Sequence, residues 1–363
     1  MIIRRLGLYL LFLVLAGTAV VFVLATVLYI KIEPQLPSIE VLKDVQLQEP
    51  LRIYSRDHKL LAEYGEKRRT PVLIAAVPPV LVHAFLAAED DRFFEHPGVD
   101  YMGLLRAGVA LIRTGEKRQG GSTITMQVAR NFFLSTEKTY LRKLTEILLA
   151  LKIERTLSKN EILELYLNKI YLGHRAYGVA AAAQVYYGTG INELSVARAA
   201  MIAALPKAPS RVNPVNNPAA ALARRNYVLQ RMRKLGHIDQ ETYAAALAEP
   251  DGAELHTVKA EARAPYLAEM VRNEMVTRYG PAAYTSGYAV ITTLKTAHQA
   301  AANKALQQGL LAYNRRHGYH GPEAHVDLAG KAAETWPGLL ADYHVTGGLP
   351  AGLVTAVEAQ SCT

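Results

Sequence analysis

A run of three acids at the end of an apolar segment is the first group of residues that could do chemistry. Glu89, Asp90 and Asp91 are consecutive, and the apolar residues Leu81 and Phe85 precede Glu89 at helical spacing, at i−8 and i−4. A carboxylate on that repeat is expected to share the buried face of the helix. Glu89 is therefore a candidate general base, a group that removes the proton from an attacking hydroxyl.

The position of Glu89 also predicts an unusual pKa. Its helix is expected to begin near Pro79, since proline favours a first helical turn, and to end at the acids. Carboxylates are disfavoured at the C-terminal end of a helix dipole, and adjacent acids repel one another. We therefore expect these two effects to raise the pKa of the Glu89 carboxyl toward neutrality, which suits a general base.

A second charged group lies on a helix predicted from about Lys138 to Thr156. Arg142 and Lys143 stand four and three residues before Glu146, so the two cations and the acid share one helix face. Such a group could hold an anionic part of a substrate. It is also typical of a surface ion-pair set, which stabilises a helix by only a few tenths of a kcal/mol per pair.

A glycine turn followed by hydroxyl side chains, at Gly120–Phe133, lies between the two charged groups. Backbone N–H groups and hydroxyls at the start of a helix can hold phosphate or sugar hydroxyls. A serine N-cap after a glycine loop is the simpler alternative. The polar residues of this turn and its helix are Ser122, Thr123, Gln127, Arg130 and Asn131.

The elements that position these groups begin with an uncharged apolar run, Leu6–Ile30. As a helix it is about 38 Å long, enough to cross a hydrocarbon core of about 30 Å. Arg4 and Arg5 precede it, so the positive-inside rule predicts a single-pass protein with residues 1–5 in the cytoplasm and everything after Lys31 outside. A cleaved signal peptide is the alternative, although its apolar core is usually shorter.

Charge and cysteine content narrow the classes of partner and of stabilising interaction. Lys and Arg number 41 against 32 Asp and Glu, a net charge of +9 that suits a membrane surface, a pyrophosphate-bearing substrate or nucleic acid. Cys362 is the single cysteine, so an internal disulfide is excluded.

The segment Tyr101–Arg113 is either a membrane-dipping amphipathic helix or an ordinary core helix.

Periodicity predicts a mostly α fold with small β components. Between Pro79 and Pro250 nearly every periodic segment is helical. Two β-type runs within Leu51–Gly65 flank a polar turn and predict a hairpin. After Pro250 the β-type run Tyr288–Leu294 and the helical run Ala297–Arg315 predict a partial α+β segment.

Five long motifs occur in a fixed order along the chain. They are EDDRFFEHPG from Glu89, GGSTITMQVARN from Gly120, RKLTE from Arg142, KNEILELYLNKIYLG from Lys159 and RRNYVLQRM from Arg224. Together they resemble the glycosyltransferase family 51 domain of the bifunctional class A penicillin-binding proteins, most closely of the 1A type. The resemblance covers roughly Leu51 to His320.

This resemblance implies a lysozyme-like, mostly helical domain that polymerises lipid II into glycan strands for the cell wall. Glu89 matches the family's general base, and Glu146 its second essential acid, which organises the pyrophosphate directly or through a divalent cation such as Mg²⁺ or Mn²⁺. No cofactor is implied with certainty. The residues that match substrate-binding positions are Asp90, Phe93, Ser122, Thr123, Gln127, Arg130, Asn131, Arg142, Lys143, Lys159 and Arg225.

The resemblance also implies a domain order and a location. The catalytic domain is expected in the periplasm, held to the inner membrane by one span. The predicted regions are a cytoplasmic tail at 1–5, a transmembrane helix at 6–30, a linker and hairpin at 31–78, the glycosyltransferase domain at 79–250, and a linker with an incomplete transpeptidase start at 251–363.

A second activity of the family, serine transpeptidation, needs S-x-x-K, S-x-N and K-[ST]-G motifs. The first two strings occur at Ser135–Lys138 and Ser158–Asn160, but both lie within the glycosyltransferase region and no K-[ST]-G follows. We therefore expect no transpeptidase activity from this chain, whereas a full-length family member is also a penicillin-sensitive transpeptidase.

Two alternative functions remain open. A lysozyme-like enzyme would cleave glycan strands with Glu89 as a general acid, and an inactive domain would serve as a membrane-anchored scaffold. The expected partners are lipid II, the growing glycan strand, the membrane and other wall-synthesis proteins. Nucleic-acid binding is not expected, because the positive charge is scattered and no basic arm or recognisable motif is present.

Overall fold

The structure describes most of the chain from residue 30 onward. A computed structural model describes residues 17, 23, 26, 30–43, 45, 47–103, 105, 121–134, 139–256, 260–318, 321–343, 345 and 348–357. These residues form a mostly helical structure with one small sheet. The predicted fold class, mostly α with a minor β component, is confirmed at this level.

The predicted membrane span at Leu6–Ile30, with the tail before it, lies outside the described residues apart from positions 17, 23, 26 and 30. Among the residues that are described, no helix is both long enough and apolar enough to cross a membrane. The span therefore stays a prediction.

The helices are numbered here in chain order. They are α1 (Pro79–Glu89), α2 (Ile124–Phe133), α3 (Tyr140–Thr156), α4 (Lys159–Lys169), α5 (Val179–Tyr187), α6 (Val196–Ala204), α7 (Pro218–Lys234), α8 (Gln240–Ala248), α9 (Pro265–Tyr279), α10 (Thr296–His317) and the short α11 (Trp336–Leu339).

Helix ends follow the capping signals in the sequence with one exception. The sequence Ser158-x-x-Glu161 is a capping-box pattern, and it opens α4: the Ser158 side chain accepts from the Glu161 N–H and the Glu161 side chain accepts from the Ser158 N–H. Asn217 caps the start of α7, and Gly236 follows its end. Gly173, a glycine that follows the apolar helical run, predicts the end of α4, but the chain leaves the helix earlier and Gly173 lies in the following turn.

The helix that ends in the acids is held by its apolar face. Leu81 and Phe85 are fully buried, as their spacing predicts, and α1 packs against α6 and α7. Burial of each such side chain contributes about 1.5–3 kcal/mol. These contacts fix the orientation of α1 and therefore of Glu89, its last residue.

A three-stranded sheet lies beside the helices. β1 (Leu51–Tyr54) and β2 (Leu60–Tyr64) pair antiparallel as the predicted hairpin, and β3 (Ala289–Ile291) pairs parallel with β1. A second apolar cluster packs Leu51 and Ile53 of β1 against Ala268 of α9. The sheet thus joins β1, in the predicted region 31–78, to β3, in the predicted region 251–363. The boundaries of these predicted regions remain predictions.

Candidate active site

Glu89 is a largely buried carboxylate at the C-terminal end of α1. Its Oε2 accepts a hydrogen bond from Gln127 Nε2 at 2.9 Å, and a terminal nitrogen of Arg224 lies 4.0 Å from its Oε1. Burial raises the pKa of the Glu89 carboxyl, whereas the Gln127 hydrogen bond and the cations Arg224, Lys207 and Arg130 lower it. The net direction is upward, which suits a general base near neutral pH.

The cause of this raised pKa differs from the one predicted. The expected repulsion between the three acids is relieved, because His96 Nε2 lies 2.9 Å from Asp90 Oδ1 and Arg231 donates to Asp91 Oδ2 at 2.7 Å. Asp90 and Asp91 therefore each have their own charged or polar partner. The predicted direction is right, but burial is the leading cause.

Asp90 and Phe93 support the loop that follows Glu89, and their assignment as binding residues stays a prediction. Asp90 Oδ2 accepts the backbone N–H of Ile124 at 2.9 Å, at the first turn of α2, and its side chain is only 3% exposed. Phe93 is fully buried, and Lys159 Nζ lies over its ring. Asp90 therefore holds the acidic loop onto α2, because a buried carboxylate without such partners would be strongly unfavourable.

Lys159 and Thr123 also hold this loop, and their assignment as substrate contacts stays a prediction. Lys159 Nζ donates to the His96 carbonyl at 2.6 Å and to Glu154 Oε1 at 2.7 Å. Thr123 is buried, and its hydroxyl donates to the Gly98 carbonyl at 2.5 Å. The loop after Glu89 is therefore bonded to both α2 and α4.

Gly98 is required where this loop approaches α3. Its φ is +91°, in the left-handed region, and a Cβ there would lie 2.9 Å from the Ala150 carbonyl oxygen and 2.8 Å from Glu154 Cγ. No larger residue fits without a shift of the helix backbone.

The second charged group forms around a fully buried acid. Glu146 has no exposed side-chain area, Arg142 donates to its Oε2 at 2.8 Å, and Lys143 Nζ donates to its Oε1 at 2.7 Å. Lys143 Nζ also donates to Ser122 Oγ at 2.7 Å. The acid is buried and its two cations are partly exposed, so this differs from the surface ion-pair set that the spacing alone allowed.

The segment that begins α2 connects the two groups. Ser122, two residues before the helix, accepts from Lys143, and Gln127 in the first turns of the helix donates to Glu89. Arg130 and Asn131 follow on the same helix and are half-buried. One short segment therefore contacts both the carboxylate base and the cation pair.

Arg225 makes its hydrogen bonds away from Glu89 and Glu146, and its assignment as a donor-site cation stays a prediction. It is only 3% exposed, and its guanidinium donates to the carbonyls of Leu247 and Glu249. The neighbouring Arg224 is the arginine near Glu89. Arg225 lies on the buried face of α7, four residues after Ala221 and three before Val228. This helical spacing was the signal that could have distinguished Arg225 from Arg224.

Sequence reasoning missed three further residues around Glu89. Arg224 and Arg231, seven residues apart on one face of α7, approach Glu89 and Asp91 respectively. Lys207, in the turn after α6, lowers the pKa of Glu89. The heptad spacing of the two arginines was a usable signal, whereas no local pattern connects Lys207 to the acids.

The donor atoms around Glu146 do not fit a divalent cation. Both carboxylate oxygens are occupied by Arg142 and Lys143, and cations at that distance repel a metal ion. Within the described residues, no group of three or more His, Cys, Asp or Glu side chains could hold a metal. The Mg²⁺ or Mn²⁺ that the resemblance allows therefore finds no protein ligand set among the described residues, and the two side-chain cations supply the positive charge.

Only the beginning of the predicted amphipathic segment Tyr101–Arg113 is described, namely Tyr101–Gly103 and Leu105. The side chains of Tyr101, Met102 and Leu105 are exposed. The rest of the segment lies outside the described residues, so the choice between a membrane-dipping helix and a core helix stays open.

Comparisons with known proteins give matches to the family that the five motifs resemble. Residues 57–233 match the family described as Transglycosylase. The chain is 54% identical over 330 residues to penicillin-binding protein 1A of Pseudomonas aeruginosa, covering 91% of this chain and 40% of that protein. The corresponding protein of Escherichia coli is 52% identical over 306 residues, covering 84% and 36%.

A solved structure gives a similar coverage. The crystal structure of penicillin-binding protein 1A from Haemophilus influenzae matches with a TM-score of 0.45 and 39% identity, covering 82% of this chain and 35% of that one. The chain thus spans about 40% or less of the length of the relatives that it matches.

Proposed function

We propose, from the match of residues 57–233 to the family described as Transglycosylase, that this protein is a peptidoglycan glycosyltransferase that polymerises lipid II. The reaction joins the 4-hydroxyl of one sugar to the anomeric carbon of another. The new C–O bond forms as the bond from the anomeric carbon to the lipid pyrophosphate breaks. The hydroxyl proton must go to a base, and the electron pair leaves with the pyrophosphate.

Glu89 is the proposed base. Its raised pKa gives a carboxylate that is basic enough to accept the proton near neutral pH, and the Gln127 hydrogen bond orients one of its oxygens. The other oxygen remains free of a close donor among the described residues, because Arg224 is 4.0 Å away. That oxygen is the proposed acceptor of the hydroxyl proton.

Arg142, Lys143 and Ser122 are the proposed groups that stabilise the departing pyrophosphate. Arg142 and Lys143 are 18% and 38% exposed, so both can donate to a ligand while Glu146 holds them in place. Fixed donors aimed at developing negative charge lower the barrier because they need no reorganisation during the reaction. Glu146 then acts on the two cations as a positioning residue.

The single observation that carries the proposal is the buried Glu146 between two cations, connected through α2 to Glu89. A polymerase that expels a pyrophosphate needs both a base and a cation group. An enzyme that hydrolyses glycan strands needs no pyrophosphate site, so this arrangement favours polymerisation over cleavage.

The location follows from the same proposal. We infer that Leu6–Ile30 anchors the protein in the inner membrane and that the lysozyme-like catalytic domain works outside it, because lipid II must be reached from the membrane surface. The exposed apolar side chains of Tyr101, Met102 and Leu105 are consistent with that surface. The growing glycan strand and other wall-synthesis proteins are the proposed partners.

Incubation of the chain in detergent, with lipid II in one reaction and purified glycan strands in another, tests this function. Polymer from lipid II, with release of the lipid pyrophosphate, supports the proposal. Shortening of glycan strands without polymer would favour the lysozyme-like alternative. No reaction with either substrate across several detergents would favour the scaffold.

A further inference from the structure

Tyr166 carries a buried hydroxyl that has no hydrogen-bond partner in the described structure. The residue lies in the last turn of α4 and is fully buried, and its hydroxyl oxygen has no donor or acceptor within hydrogen-bond distance. Phenylalanine would fill the same volume without an unsatisfied polar group. A buried hydroxyl left unpaired is unfavourable and uncommon in folded proteins, so it requires an explanation.

The position of the ring indicates what this hydroxyl is near. The Tyr166 ring packs edge-on against Phe85, with ring centroids 6.0 Å apart and an interplanar angle of 80°. Phe85 lies one turn before Glu89 on α1, and residues four apart share a helix face. The phenol is therefore held beside the turn that ends in the proposed base.

Electrostatic coupling supports this placement. Burial and then the negative charge of Glu89 raise the pKa of Tyr166 well above its usual range, with Asp90 acting in the same direction and Arg130 in the opposite one. The phenol thus stays protonated at every working pH. It can donate a hydrogen bond near Glu89 without adding charge.

The Glu89 carboxylate can accept further hydrogen bonds. A carboxylate offers about four lone-pair sites, and the hydrogen bond recorded on this one comes from Gln127 at 2.9 Å. The charged groups that face it are Arg130 on α2, Arg224 on α7, Lys207 after α6 and its own neighbour Asp90. Tyr166 on α4 is a neutral group whose pKa the charge of Glu89 raises.

We propose that Tyr166 is a positioning residue for the base: its hydroxyl donates a hydrogen bond to one buried water, which in turn donates to the Glu89 carboxylate. This inference rests on the proposed function of Glu89. The hydrogen bond stabilises the ionised base and fixes the direction of its free oxygen toward the sugar hydroxyl. Because the donor is neutral and buried, its contribution is insensitive to salt, unlike that of the surrounding cations.

Tyr166→Phe removes the hydroxyl alone and tests the inference. Loss of a donor to the ionised form raises the pKa of Glu89, so the acid limb of the pH–rate profile for lipid II polymerisation moves up by about one pH unit. The rate then falls about tenfold below that limb and changes little well above it. An acid limb at the wild-type position would overturn the inference.

Tyr186→Phe is the matched control. Tyr186 is buried in the same domain, but its hydroxyl donates to the Leu172 carbonyl at 2.8 Å and accepts from Asn213 at 2.6 Å. This variant should lose thermal stability and keep the wild-type acid limb. Equal shifts of the limb in both variants would show a general packing effect and overturn the specific role of Tyr166.

A titration that needs no activity separates this inference from the proposed function. NMR of carboxyl-labelled glutamate, with the Glu89 signal assigned from Glu89→Gln, measures the pKa of Glu89 in wild type and in Tyr166→Phe. A higher pKa in the variant supports the hydrogen bond, and equal values overturn it. Failure of the wild-type chain to polymerise lipid II would refute the proposed function, while this titration still decides the role of Tyr166.

Discussion

The buried acid between two cations gives a sharp prediction for Glu146→Gln. In the wild-type structure each carboxylate oxygen accepts from one cation, Arg142 at 2.8 Å and Lys143 at 2.7 Å. A glutamine keeps one oxygen for one of them and turns an NH₂ group toward the other. The variant therefore conserves the side-chain shape but leaves one cation misdirected and both without a neutralising charge.

The expected effects on stability and on rate differ in size. A hydrogen bond to a charged group contributes about 1.5–3 kcal/mol, and one of the two is retained in weaker form. Arg142 and Lys143 are 18% and 38% exposed, so water replaces part of the loss, and we expect a fall of about 2 kcal/mol in the free energy of unfolding. A domain stable by about 5–15 kcal/mol stays folded after such a change. Misdirected donors at a leaving group reduce kcat by about 100-fold or more.

Urea unfolding and initial rates of lipid II polymerisation measure the two effects on the same preparation. Glu63→Gln is the matched control, because Glu63 is 14% exposed and accepts from Arg52 at 2.9 Å within the sheet, away from the site. That variant should lose a little stability and no rate. A rate for Glu146→Gln within a few-fold of the control would refute the view that Glu146 positions the pyrophosphate cations.

Three further variants separate the roles of neighbouring residues. Asp91→Asn should leave the acid limb of the Glu89 pH–rate profile within about 0.3 unit of wild type, because Arg231 already pairs with Asp91; a limb lower by about one unit would restore the repulsion explanation. Arg225→Met should lower the free energy of unfolding by about 2 kcal/mol and leave the KM for lipid II unchanged, since its guanidinium serves backbone carbonyls. A raised KM with normal stability would support the assignment of Arg225 as a substrate-binding cation. Gly98→Ala should lower the unfolding free energy by about 2 kcal/mol or more, because the backbone is left-handed and a carbonyl oxygen stands 2.9 Å from the new methyl; an unchanged thermal midpoint would contradict this.

Periodicity and capping predicted the local structure of this chain well. The buried stripe of α1 and the capping box of α4 depend on residues within one or two turns of each other, so a single sequence contains the necessary information. The pairing of β3 with β1 joins residues more than two hundred positions apart. No local pattern encodes such a contact, and the predicted regions therefore separated the two strands.

The candidate site was predictable in its residue types and less so in their directions. Motif matches brought Glu89, Gln127 and Glu146 to attention, but could not distinguish a side chain that faces a ligand from one that holds a loop. Burial decides that question. It assigns Asp90 to the support of the loop, and it replaces charge repulsion as the main cause of the raised pKa of Glu89.

The initial rate of lipid II polymerisation by Glu89→Gln, measured beside wild type across the pH range, tests the proposed base most directly. Glutamine retains an oxygen that can accept from Gln127, so the site keeps its shape while the basic group is lost. Loss of a general base predicts a rate lower by about 100-fold or more, with no acid limb in the profile. A variant that polymerises lipid II within a few-fold of wild type, with the same acid limb, would contradict the assignment of Glu89 as the base.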